Sequence, residues 1–222
     1  MGVAGIDEAI AAARPRPQKR HGGRPTLAEA RRRQEHLLEV AGAMFMRFGY
    51  DGTSIEAVAE AAGMSKRTVY ARYADKHALF SAVIRQLVER WLVPIARFRC
   101  GKRSLRASLV EVGGHLLECA LTPAAVGVRR VIIGEAGREP GFARMAHVEG
   151  WQPAVRAIAE ILARHRRELR LADLERAAAQ FMSLVVDNSL RQATLGAKCD
   201  KRAIAACVRA AVDLFLNGAL QR

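Results

Sequence analysis

Apolar positions recur at helical spacing along almost the whole chain. Leu37, Ala41, Met44, Phe45 and Phe48 line one face and predict a helix from Ala28 to Phe48, closed by Gly49 as a C-cap. Ile55, Val58, Ala59 and Ala62 then give a short helix its inner face. Thr53 or Ser54 is placed to cap it, and Glu56 stands three residues after Thr53, the register of a capping box. Gly63 permits a sharp turn and Ser65 caps the helix that follows. Two short helices joined by a tight glycine turn make a helix-turn-helix.

The pattern continues from residue 75 to Leu92 with Leu79, Val83, Leu87 and Trp91, and Pro94 is expected to stop or kink that helix. "SLRASLVEVGGHLLECALTP" predicts another, interrupted by Gly113 and Gly114, which weaken it and leave space beside it. Thr122 and Pro123 have the order of an N-cap and a first helical position. Further helices are expected from Trp151 to Arg167, from Asp173 with Ala177, Phe181, Leu184, Val185 and Leu190, and after Asp200 with Ile204, Val208, Val212, Leu214 and Phe215. Long strand-like alternation is missing, and the expected fold class is all-α. No repeat appears. No apolar run approaches the roughly 20 residues that span a bilayer, and Asp7 and Glu8 interrupt an N-terminus that lacks a basic leader. No membrane association is expected, and the expected location is cytoplasmic.

Charge narrows the partner. The chain of 222 residues carries a formal net charge of +14, a balance that favours polyanions. Residues 1–27 combine Pro, Gly and basic side chains and predict an arm. Arg14, Arg16, Lys19, Arg20 and Arg24 can follow a phosphate backbone or enter a minor groove, or the arm is only a solvated leader. Arg31, Arg32 and Arg33 oppose the dipole of the helix they begin, a local cost that a nearby polyanion relieves.

The segment "AAGMSKRTVYARYADK" gives this charge a geometry. At about 100° per residue, Val69 and Tyr73 point inward while Arg67 and Ala71 point away from them. Thr68 and Tyr70 flank the outward face, with Lys66 on the Tyr70 side. Such a face suits a major groove, where Lys and Arg donate to guanine and hydroxyls reach phosphates.

"TSIEAVAEAAGMSKRTVYARYADKHALF" resembles the DNA-binding domain of the TetR/AcrR family of transcriptional regulators. The matching features are the Thr before a short helix, "AEAAGMSK", the Val-Tyr pair, Tyr73, and Asp75-Lys76 followed by Leu79 and Phe80. The family often has Phe where Tyr73 stands and an aromatic where Ala71 stands. The resemblance implies that Thr53 touches phosphate at the start of the second helix. It implies that Lys66, Arg67 and Thr68 face bases or nearby phosphates, that Tyr70 and Arg72 hold the backbone, and that Lys76 meets a phosphate. It also implies an N-terminal DNA-binding domain at 28–75 and a C-terminal helical domain at 76–222 for dimerisation and ligand binding. "RRVIIGEAGREPGFARM" is similar to a segment of the AefR-like subgroup. The expected partners are double-stranded operator DNA, a second copy in a homodimer, and a small-molecule effector; the expected role is a repressor that the effector releases.

Catalytic chemistry finds no support in the motifs. No G-x-S-x-G, H-E-x-x-H or phosphate-binding loop occurs, no cofactor is expected, and an enzyme is not. Cys100, Cys119, Cys199 and Cys207 lack metal spacing and read as reduced thiols. Glu111, His115 and Glu118 share a helical face, so a bundle enzyme with a metal near Glu111 and His115 stays as an alternative, although paired Glu-x-x-His motifs are absent. A DNA-binding protein without an effector is the other. For the effector, His115, Trp151 and Phe181 are the candidate pocket residues, as one polar group and two aromatic walls between helices.

Overall fold

A computed structural model describes residues 26–98 and 104–219, and among them every regular element is helical. The expected arm at 1–27 lies almost entirely outside the described residues. The first helix, α1 (Leu27–Phe48), starts one residue earlier than expected, because Thr26 and Glu29 close a capping box. Glu29 therefore stands in the first turn, and its hydrogen bonds to Thr26 hold its carboxyl below the usual range. Arg31, which the bare pattern set against the dipole, pairs with Glu35 one turn on at 3.0 Å. Gly49, at φ 74°, ends the helix by donating its N–H to the Phe45 carbonyl.

Helices α2 (Ile55–Ala61) and α3 (Lys66–Tyr70) follow, capped by the hydroxyls of Ser54 and Ser65. Gly63 makes the turn between them at φ 64°, a conformation that residues with a Cβ resist. Helix α4 (Lys76–Phe98) runs through Pro94 instead of stopping there. The proline costs one hydrogen bond, to the Arg90 carbonyl, but the next turn is held by Ile95, which is buried in the C-terminal core.

The C-terminal half holds α5 (Leu105–Ala120), α6 (Pro123–Ala136), α7 (Pro140–Met145), α8 (Gln152–Arg164), α9 (Leu174–Met182), α10 (Asn188–Thr194) and α11 (Lys201–Ala219). Wide π-type turns join α7 to α8 at Ala146–Trp151 and α9 to α10 at Ser183–Asp187. Two expected helices are thus longer, interrupted rods. Helix α5 is continuous through Gly113 and Gly114. A Cβ built on Gly113 would lie 3.3 Å from Val208 and 3.4 Å from the Phe181 ring. That glycine admits a close helix contact and leaves no space beside it.

Two apolar clusters form, and they do not divide at residue 75. The first joins α1, α2 and α3 to Leu79, Phe80, Val83, Ile84 and Val88 of α4, and takes in Val128, Phe142 and Met145 from the C-terminal half. The second packs α5, α8, α9 and α11 around Leu117, Ile158 and Phe181. Helix α4 contributes to both clusters and so ties the two halves together.

Candidate nucleic-acid interface

Helix α3 rests on Val69, which is fully buried, with Tyr73 buried just beyond it. Lys66, Arg67, Thr68, Tyr70 and Arg72 are all exposed around that support. Lys66, Arg67 and Arg72 make no ion pair among the described residues. Three cations therefore stand exposed and unpaired on and just after this short helix, with Ala71 exposed between Tyr70 and Arg72. Such a surface can donate hydrogen bonds to acceptor edges and balance phosphate charge.

The hydroxyls are less free. Thr68 Oγ1 lies 2.7 Å from the Ser65 hydroxyl, within the cap of its own helix. Tyr70 donates its proton to Glu56 across 2.7 Å. That bond raises the Tyr70 pKa and lowers the Glu56 pKa. The expected capping box of Thr53 and Glu56 does not form, because Ser54 is the cap and Glu56 reaches Tyr70.

Two of the expected phosphate contacts make hydrogen bonds within the protein. Thr53 is 1% exposed, and its hydroxyl donates to the Gly49 carbonyl at 2.8 Å. It stabilises the turn after α1, since a buried hydroxyl needs a partner, and it is not presented to a phosphate. Lys76 donates to the Tyr50 carbonyl at 2.8 Å, with its ammonium 4.3 Å from the centre of the Tyr50 ring. The half-buried cation closes the joint between α1 and α4.

The three candidate effector residues do not meet in one cavity. His115 Nε2 lies 2.8 Å from the Trp91 carbonyl and 3.6 Å from the Cys119 sulfur, so its ring faces α4. Phe181 is fully buried, against Gly113 and edge-on to Phe215 at 5.2 Å. It fills the core because α5 approaches so closely there. Trp151 borders a groove of about 770 Å³ that it shares with Arg176, Gln180, Ser183, Leu184 and Phe215. The two π-type turns meet at this groove, one ending at Trp151 and the other starting at Ser183. Periodicity places Leu184 and Phe215 on apolar helix faces and gives no sign of such turns. Burial and the nearby Glu118 push the Cys119 thiol up to about 11. No cluster of three His, Cys, Asp or Glu side chains suited to a metal occurs among the described residues. No described helix is long and apolar enough to cross a membrane.

Comparison with known proteins agrees with this arrangement. Residues 37–83 match the family described as bacterial regulatory proteins, tetR family, and residues 107–218 match the AefR-like transcriptional repressor C-terminal domain. The HTH-type transcriptional regulator RutR of Escherichia coli K12 is 39% identical over 67 residues, 30% of this chain and 32% of its own. The HTH-type transcriptional repressor ComR of the same strain is 28% identical over 102 residues, 46% of this chain and 47% of its own. The chain thus matches less than half the length of either curated relative. The solved flavonoid-responsive regulator FrrA is 30% identical, covers 86% of this chain and 98% of its own, and superposes with a TM-score of 0.66. A TetR-family regulator from Mesorhizobium loti shares the fold at a TM-score of 0.75 and 23% identity, over 89% of this chain and all of its own. A helix-turn-helix module with an outward basic helix, joined to an AefR-like helical domain, places the chain in the TetR family of transcriptional regulators.

Proposed function

We propose that the chain is a homodimeric repressor whose α3 enters the major groove of operator DNA and whose release is governed by a small-molecule effector. The observation that carries this reading is the exposed pair of cations Lys66 and Arg67 on a helix backed by the buried Val69, with Arg72 exposed just beyond its end. Lys66 and Arg67 serve as base or phosphate donors, Arg72 as a backbone contact, and Thr68 as a cap residue at the same surface. The basic residues of 1–27 add phosphate contacts. Residues 28–75 carry the reading head and 76–222 the dimer and effector functions.

A twofold operator needs two heads, and the face of α9 to α11 supports self-pairing. Leu214 is exposed on α11, and an apolar side chain on a helical face favours burial against a partner. The effector site is assigned to the groove at Trp151, whose size suits a drug-sized ligand. The indole of Trp151 and the ring of Phe215 offer flat walls, and Arg176 and Gln180 offer polar contacts. Similarity to a flavonoid-responsive regulator favours a planar aromatic molecule. Glu149, next to Trp151 but one, pairs with Arg85 of α4 at 3.0 Å, which supports a route from groove to head.

The test is to sequence the genomic fragments that the purified protein retains. A shared twofold sequence is expected, and its affinity is expected to fall when a flavonoid panel quenches Trp151 in the Trp91→Phe variant. Retention of fragments without a common sequence contradicts the reading.

A further inference from the structure

Tyr70 ends α3, and Glu56 is the second residue of α2. Their 2.7 Å hydrogen bond joins two helices on the solvent side, and Tyr70 remains 46% exposed. A phenol has one proton. Once it is given to Glu56, the Tyr70 oxygen offers only lone pairs, and an ionised carboxylate also accepts only. The Tyr70 hydroxyl, and to a lesser extent the nearby Lys66, favour the ionised form of Glu56. The pair is therefore an acceptor patch on a face whose other heads, Lys66 and Arg67, are donors.

A phosphate is a poor match for this patch, because its oxygens carry negative charge and have no proton to give. The strong donors that duplex DNA shows in its major groove are cytosine N4 and adenine N6. Lysine, in contrast, matches the O6 and N7 acceptors of guanine.

We propose that Glu56 and Tyr70 together read the amino group of a cytosine or adenine in the major groove, beside a guanine read by Lys66. This rests on α3 being the reading helix. Tyr70 thereby moves from the phosphate backbone to a base edge. Glu56 touches the same base and also positions the Tyr70 hydroxyl.

The proposal is tested by sequencing the DNA selected from a random duplex pool by the parent, Glu56→Gln and Tyr70→Phe. Both side chains are at the surface, and thermal melting checks that the variants fold. The parent is expected to favour cytosine or adenine at one position of each half-site. Glu56→Gln removes the charge and adds a donor, so a cytosine preference is expected to relax on the order of tenfold or to turn toward adenine, and an adenine preference to strengthen, because an amide pairs with adenine N6 and N7. Tyr70→Phe is expected to relax the same position and spare the others. Unchanged base frequencies at every position, with both variants binding all sequences more tightly, would show that the pair faces phosphate and overturn it. If the parent selects no sequence at all, α3 is not the reading helix and the wider reading fails with it. If the parent selects a sequence that neither variant alters, only the Glu56–Tyr70 assignment fails.

Discussion

Phe142 stands edge-on to Tyr50, ring centroids 4.6 Å apart, inside the apolar core of the DNA-reading half. It comes from α7, far along the chain, and it also touches the rings of Phe80 and His77. The head is therefore completed by a side chain from the half assigned to the effector. The next turn along, Glu149 bonds both Arg85 and the Ser81 hydroxyl of α4. A shift of α7 and its π-type turn bears directly on the helix that carries the head.

Phe142→Ala should lower stability by about 3–5 kcal/mol, the usual cost of emptying a fully buried aromatic site. Urea unfolding measures it. Phe48→Ala is the control, since Phe48 is half exposed, and its change should stay much smaller. Equal shifts for the two would show that Phe142 does not hold the halves together.

Tyr50 gives the protein an alkaline weakness. Burial, reinforced by the nearby Glu139 and Asp75, pushes its pKa from 10.0 up to about 12. Between those values the folded chain keeps a proton that the unfolded chain has lost, so stability is full below pH 10 and falls as pH rises toward 12. The melting temperature should decline over that window. In Tyr50→Phe, which keeps the ring contacts, the decline should be smaller. A parallel decline in both proteins would place its cause elsewhere.

Gly113 and Gly114 should respond in opposite ways to alanine. A Cβ on Gly114 meets nothing within 4 Å, so Gly114→Ala should gain about 0.5–1 kcal/mol of helix propensity. On Gly113 the same atom presses on Val208, Phe181 and Val185. There the crowding should cancel or exceed the gain. Thermal melts of the two variants decide it, and a gain at Gly113 as large as at Gly114 would contradict the close helix contact.

Arg67 points away from the buried Val69 and has no ion pair among the described residues. Arg67→Ala should cost about 1–3 kcal/mol of affinity for the preferred site and relax the sequence preference there. Binding measured at one fixed salt concentration is the check. Unchanged affinity and preference would remove Arg67 from the interface.

The sequence alone determined those features that depend on near neighbours. Gly49, Gly63, Ser65 and Asp173 act where they were expected because caps and tight turns need only a few residues and one backbone conformation. The inward faces of Val69, Tyr73, Val208 and Val212 follow from helical period, and the basic face of α3 follows with them. Only the tertiary structure decided what depends on distant partners. Glu56 accepts the Tyr70 hydroxyl, Lys76 folds back onto Tyr50, and His115 turns to Trp91, each by a pairing that no local pattern encodes. Pro94 stays inside α4 because packing of the following turn outweighs one lost hydrogen bond. Phe181 leaves the expected pocket for the core because Gly113 lets two helices touch, and the groove beside Trp151 exists only where two π-type turns from separate segments meet.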